Sequence, residues 1–323
     1  MRDDEVTWRP DLLGGAWEQT TLPLRPDALG EEPPVATLVR LRTDGARRAV
    51  VYLHGFVDYF FQAHVGAAFA ARGYDVYALD LRDYGRAIRP GREPNYTTDL
   101  AAYAEEIDAA VRIARRDHDE VVLLGHSTGG LVAALWADAR PGLVDAVVLN
   151  SPWLDLRGSW LERVVLTPVL DVVGRVVPRL TVSHLAVHYG TALHVGSGGE
   201  WDYDLAWKPH AGFPVRAGFV RTVRRGQARV ARGLAIDAPV LVLASDAAGP
   251  DDCWHDALLS TDSVLDPAQM RARAGGLGPD VTFTEIPGGA HDLALSAAPA
   301  REAYLRTTLD WLDGALARPG LHG

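Results

Sequence analysis

Apolar residues in this chain gather into short unbroken runs, separated by stretches where they recur every third or fourth position. Such runs are Arg48 to Leu53 and Val121 to Leu124, whose continuous hydrophobicity marks strands buried on both faces. Tyr74 to Leu79, Asp145 to Asn150, Pro239 to Ala244 and Val281 to Ile286 read as further strands. The intervening patterns predict helices at Gln62 to Arg72, stopped by Gly73, at Thr97 to Arg116, from Leu131 onward, and at Arg301 to Leu316. Strands alternating with helices at this spacing predict an α/β fold, a mostly parallel central sheet with helices on both faces. Ahead of it, Trp17 to Leu24 and Val35 to Arg42 predict an antiparallel pair that opens the sheet.

The alternation breaks after Ser151-Pro152. Helical patterns (Trp160 to Val173), then Gly196-Ser197-Gly198-Gly199 and a cluster of aromatic and acidic residues, fill the chain as far as Ile236. Connections within compact domains run a few residues, so this length predicts an inserted, mainly helical cap. The expected organisation is a core domain from residues 1–151 and 237–323, with a cap or lid at 152–236.

Composition narrows the partners. The 323 residues are 48% hydrophobic, enough for a large core, and the net charge of −10 argues against nucleic acid as a partner. Arginine carries almost all the positive charge, since Lys208 is the sole lysine. One cysteine, Cys253, excludes an internal disulfide and fits a reducing compartment. Met1-Arg2-Asp3-Asp4-Glu5 leads into no apolar segment of signal-peptide type, and no run approaches the roughly 20 apolar residues needed to span a bilayer. A cytoplasmic protein without integral membrane association is the expectation; oligomeric state is not set.

The chemistry centres on Gly125-His126-Ser127-Thr128-Gly129, between the Val121 run and the Leu131 helix. Strand, tight turn and helix are the context that gives G-x-S-x-G its meaning. The turn strains Ser127, the flanking glycines remove side chains that would collide, and the helix aims backbone N–H groups at the hydroxyl. Ser127 is therefore the candidate nucleophile. His291, in Gly289-Ala290-His291-Asp292 after the last strand, sits at the same sheet edge and is the candidate base. Its acid partner is expected to be Asp262, in a turn just before the helix opened by Asp266-Pro267. Asp246, ending the Pro239 strand, and Asp155 are the alternatives. Backbone N–H groups of Thr128 and of Phe56, in His54-Gly55-Phe56, are the expected oxyanion donors.

These segments, with Asp80-Leu81-Arg82-Asp83-Tyr84-Gly85-Arg86 and Asp262-Ser263-Val264-Leu265-Asp266, resemble the α/β-hydrolase superfamily. Within it they resemble the monoacylglycerol lipase, lysophospholipase and serine aminopeptidase S33-like group, over residues 50–315 apart from the cap. That family's acid lies in an Asp-x-apolar-apolar-Asp turn, which implies Asp262. The chain departs from the family in lacking glycine-histidine-glycine at Asp80 to Arg86, and in the longer Asp246 to Thr261 link. The resemblance implies a serine hydrolase acting through an acyl-enzyme on a small ester such as a monoacylglycerol or lysophospholipid. Amide cleavage of the aminopeptidase type is the alternative, and a catalytically silent binding protein a third reading.

In the cap, Trp153, Glu200, Trp201, Asp204 and Trp207 are the candidate substrate-binding residues, aromatics for an acyl group and acids for an ammonium. The competing reading is a solvated acidic loop with packed tryptophans. His126 is expected to pack under the site. His184, His188 and His194 complete no metal pattern, so neither metal nor other cofactor is expected.

Overall fold

The computed structural model describes residues 6–157 and 171–317. Nine strands form the main sheet: β1 (Arg9–Pro10), β2 (Trp17–Pro23), β3 (Val35–Leu41), β4 (Arg48–Leu53), β5 (Tyr74–Asp80), β6 (Glu120–His126), β7 (Ala146–Asn150), β10 (Val240–Ser245) and β11 (Val281–Ile286). The spatial order is β1-β2-β3-β5-β4-β6-β7-β10-β11. Pairings from β1 through β3 to β5 are antiparallel and the rest parallel. The antiparallel opening pair is thus in place.

The unbroken apolar runs are explained by the two faces. Val51, Leu53, Leu123, Leu149 and Val242 point into one core, against α2 (Ala104–Asp117) and α3 (Thr128–Ala139). Tyr52, Val122, Leu124, Val148 and Leu243 point into the other, with Phe69 of α1 (Ala63–Ala71) and Leu312 of α7 (Ala298–Leu316). Alternate residues of the central strands serve opposite layers, so β4 and β6 are apolar at almost every position.

Helix boundaries follow local chemistry. Before α2, the Asp99 carboxylate accepts from Ala101 N–H and starts a 3₁₀ turn at Leu100–Tyr103, so regular α-helix begins well after Thr97. Helix α7 starts three residues ahead of Arg301 because proline suits a first turn. Helix α6 (Pro267–Ala274) opens on the Asp266 side chain, which accepts from Ala268 N–H.

Between β7 and β10 the chain leaves the sheet. It forms a two-stranded ribbon, β8 (Thr181–Ser183) with β9 (Val215–Arg216), and helices α4 (Val187–Leu193) and α5 (Ala217–Ala231). The helix expected at Trp160 to Val173 lies outside the described residues up to 170; residues 171–176 are helical. Arg224 of α5 reaches Asp155 at 3.1 Å, and Arg273 of α6 reaches it at 2.7 Å. Among the described residues, no helix is long and apolar enough to cross a membrane.

Chain order fixes where the site lies. From β4 the chain steps outward to β5, then returns to place β6 on the other side of β4. Loops leaving the carboxyl ends of β4 and β6 therefore diverge to opposite faces and leave a crevice between them.

Candidate active site

Ser127 sits at that crevice, directly after β6, with φ 52° and ψ −115°. A non-glycine residue there is strained, and the surroundings hold it. Ser127 N–H donates to Asn150 O at 3.0 Å, while its carbonyl accepts from Trp153 N–H at 2.9 Å and Leu131 N–H at 3.1 Å. A Cβ on Gly125 would strike the backbone of Gly129, and one on Gly129 would strike the carbonyls of Leu53 and His54. Both glycines are required by close backbone approach.

Loops from distant parts of the chain meet this serine. His291 Nε2 lies 3.1 Å from Ser127 Oγ, and His291 Nδ1 lies 3.0 and 3.1 Å from the two oxygens of Asp262. A carboxylate only accepts, so Nδ1 carries the proton and Nε2 presents a lone pair to the serine hydroxyl. Asp262 is fully buried and its Oδ1 also accepts from the N–H groups of Val264 and Leu265, at 2.9 and 2.7 Å. The turn that the sequence marks before α6 thus aims the carboxylate inward. Asp246 is exposed and accepts from Gly288 N–H at 2.9 Å, bracing the loop behind His291 instead of touching its ring. Asp155 is engaged by Arg224 and Arg273.

Phe56 follows β4 on the other wall. Its loop turns sharply: Val57 has φ 51°, and its N–H donates to Oδ1 of Asn95, itself at φ 59°. Beneath it His54 Nε2 accepts from Leu81 N–H at 3.1 Å, and burial lowers the His54 pKa, so the ring is a neutral spacer. The charged Asp80 to Arg86 segment is structural. Arg86 bridges Asp80 and Asp11, Arg82 bonds Glu106, and Asp80 Oδ1 accepts from Phe60 N–H, pinning the chain just past Phe56.

A cavity of about 430 Å³ opens above Ser127. One side is apolar, with Phe56, Trp153, Phe219 and Leu265; Phe56 and Phe219 stack at 4.6 Å. The other is polar, with Asp58, Lys208, Tyr189 and Asp292. Of the expected cap contacts only Trp153 lines it; the other four are corrected. Glu200 is drawn outward to Arg301 at 2.8 Å. Trp201 stacks on His64 and donates from Nε1 to Leu295 O, and Trp207 packs edge-on against Tyr59. Asp204 turns back to accept from Ala206 N–H. Indoles find buried partners on the core and acids find partners at the surface, so neither is left to face the cavity.

His126 is buried, lines the cavity and lies 5.0 Å from His291, ring centre to ring centre. His184 and His188 also line the cavity, whereas His194 is spent on Tyr203 O and Gly196 N–H. Sequence reasoning missed Tyr189, Lys208, Asp58 and Asp292. Only Lys208, as the sole lysine, carried any signal.

Comparison with known proteins supplies an independent view. The family model described as serine aminopeptidase, S33 matches residues 44–296. A monoacylglycerol lipase of Mycolicibacterium smegmatis is 30% identical over 209 residues, covering 62% of this chain and 70% of the relative. Several further curated relatives are matched over less than half of their own length. The monoacylglycerol lipase of Paleococcus ferrophilus superposes with a TM-score of 0.64 at 20% identity, covering 86% of this chain and 99% of that one. A soluble variant of Saccharomyces cerevisiae monoglyceride lipase gives 0.64 at 15% identity, covering 96% and 94%. At such identities the superpositions speak for the fold.

Proposed function

The chain belongs to the serine aminopeptidase S33 family of α/β-hydrolases, and from that premise we propose that it is a serine hydrolase cleaving small carboxylic esters. It is a monoacylglycerol lipase-like hydrolase. The observation that carries it is the continuous chain Ser127 Oγ, His291, Asp262 at 3.1 and 3.0 Å, at the floor of a mostly apolar cavity.

In this reading His291 Nε2 takes the Ser127 proton as Oγ bonds to the ester carbonyl carbon. Asp262 holds the tautomer and stabilises the imidazolium. The carbonyl oxygen, now negative, is received by the N–H groups of Phe56 and Thr128, each worth about 2.7–4 kcal/mol in such sites. His291 returns the proton to the departing alkoxide, leaving an acyl-serine. Water, deprotonated by the same imidazole, then releases the carboxylic acid. The segment at residues 152–236 acts as a lid, contributing Trp153, Tyr189, Lys208 and Phe219 to the walls.

The apolar wall of Phe56, Phe219 and Leu265 favours an acyl group and so an ester. An aminopeptidase needs an acid free to bind an ammonium, and the two cap acids of that reading, Glu200 and Asp204, are turned away from the cavity.

Turnover of p-nitrophenyl acyl esters against aminoacyl anilides, with labelling by a fluorophosphonate, tests the proposal. Wild type should hydrolyse the esters and be labelled, and Ser127→Ala should do neither while melting as a folded protein. Unchanged hydrolysis by Ser127→Ala would refute the nucleophile; preference for anilides would refute the substrate class.

A further inference from the structure

The polar end of the cavity holds three groups that this reaction does not use. Asp58 lies two residues past Phe56, His126 precedes Ser127 and Asp292 follows His291. All three are buried, and one ligand-capable atom of each lies within 4.8 Å of the others. Asp58 and Asp292 come from the loops after β4 and β11, and His126 is the last residue of β6, so sheet topology assembles them.

Asp58 and His126 each present a lone pair without a matching proton, and Asp292 completes the set. Asp58 Oδ1 accepts from Lys208 Nζ, but Oδ2 is buried with no hydrogen-bond partner. A carboxylate oxygen has no proton of its own, so it calls for a donor or a cation. His126 Nδ1 lies 3.2 Å from the carbonyl oxygen of Asn150. A carbonyl only accepts, so Nδ1 carries the proton and Nε2 keeps the free pair, as in histidines that bind metals. Burial lowers the His126 pKa and keeps the ring neutral. Asp292 is held by neutral groups, Asn150 Nδ2 at 2.8 Å, Ala294 N–H at 3.0 Å and Gln62 Nε2 at 3.3 Å. Two carboxylates thus share the pocket with the single amine of Lys208.

We propose that Asp58, His126 and Asp292 form a binding site for one divalent transition-metal ion, and that filling it shuts the hydrolase off. One imidazole with two carboxylates, and a fourth position open to the cavity, suits Zn²⁺; Mg²⁺ and Ca²⁺ favour oxygen-only sets. Ligand atoms around zinc lie about 3.4 Å apart, so modest side-chain rotation closes the site. Zinc enters through the cavity, which all three residues line. With His126 and His291 ring centres 5.0 Å apart, a dication opposes the imidazolium that His291 must form. The inhibition rests on the serine-hydrolase reading; the binding does not. Lys208 competes with the ion, because it already occupies one Asp58 oxygen and repels positive charge.

Calorimetric titration of metal-stripped full chain with Zn²⁺ tests the site, with Ser127→Ala titrated alongside wild type so that binding is read apart from turnover. One site per chain is expected. Asp58→Asn weakens it about tenfold or more, Lys208→Met strengthens it, and Ser127→Ala retains it. Absence of saturable binding to wild type overturns the proposal. So does an affinity indifferent to both Asp58→Asn and Lys208→Met, which places the ion on other histidines. Zn²⁺ should also suppress ester turnover by wild type, with recovery on adding EDTA; binding without suppression overturns the inhibitory half.

Discussion

Tyr189 and Asp292 are joined across the cavity: the phenol oxygen of Tyr189, on α4, accepts a hydrogen bond from the backbone N–H of Asp292 at 3.0 Å. The Tyr189 ring also meets the His291 ring edge-to-face, 6.1 Å between centres. A residue outside the main sheet thus grips the loop that carries the imidazole. Tyr189 is a positioning residue in this arrangement.

Tyr189→Phe should therefore lower kcat more than it raises KM. Leaving one buried N–H unpaired costs about 1–3 kcal/mol, so a loss of roughly tenfold is expected. Steady-state kinetics on a p-nitrophenyl ester decides it; a rise in KM alone would make Tyr189 a mere wall of the pocket.

The two candidate acids separate cleanly by mutation. Asp262→Asn should reduce kcat by about 10⁴-fold, since an amide at that place favours the wrong tautomer. Asp246→Asn should stay close to wild type in kcat, as its carboxylate bonds only Gly288 N–H across the loop. Stopped or steady-state assays of both variants at neutral pH give the comparison.

Away from the site, His118 Nε2 lies 3.1 Å from Asp75 Oδ2 with both side chains buried. Burial works against charge on each, but their close approach as an ion pair prevails: the His118 pKa is raised above 6.5 and that of Asp75 lowered below 3.8. A raised histidine stabilises the fold at pH below its unfolded value and loses that contribution as pH climbs through its folded value. A depressed carboxylate stabilises above its unfolded value and loses that as pH falls through its folded value. The pair is worth most between those limits, so His118→Gln should lower Tm more near pH 5.5 than near pH 8.5. Thermal melts at the two pH values check the sign.

Gly129→Ala should be severely destabilising. The added methyl meets the backbone carbonyls of Leu53 and His54, which cannot rotate away. Overpacking of this kind costs about 1–3 kcal/mol and more where backbone must move. Denaturant unfolding of the variant should show a lower midpoint with the slope preserved; an unchanged midpoint would mean that β4 yields easily.

Much of this protein is legible in one dimension. Doubly buried strands have to be apolar at almost every position, so β4 and β6 stand out from their neighbours, while the half-buried β11 is marked by its β-branched residues and the glycines after it; each leads into a functional turn. Gly125 and Gly129 announce a tight approach, and Asp266-Pro267 opens a helix by its own local bonds. Ser127 and His291 follow from those local rules.

What the chain order alone could not decide was contact between remote side chains. Asp262 and Asp246 both follow β10 and both hydrogen-bond a backbone N–H; only the path of the loop turns one to His291 and the other to Gly288. Glu200 and Trp201 suited a substrate pocket by type, yet Arg301 and Leu295, about a hundred residues on, claim them. Lys208 meets Asp58, and Tyr189 meets Asp292, across equally long intervals of chain. Local propensity acts over a few residues, whereas a pocket is made wherever packing happens to bring distant surfaces together.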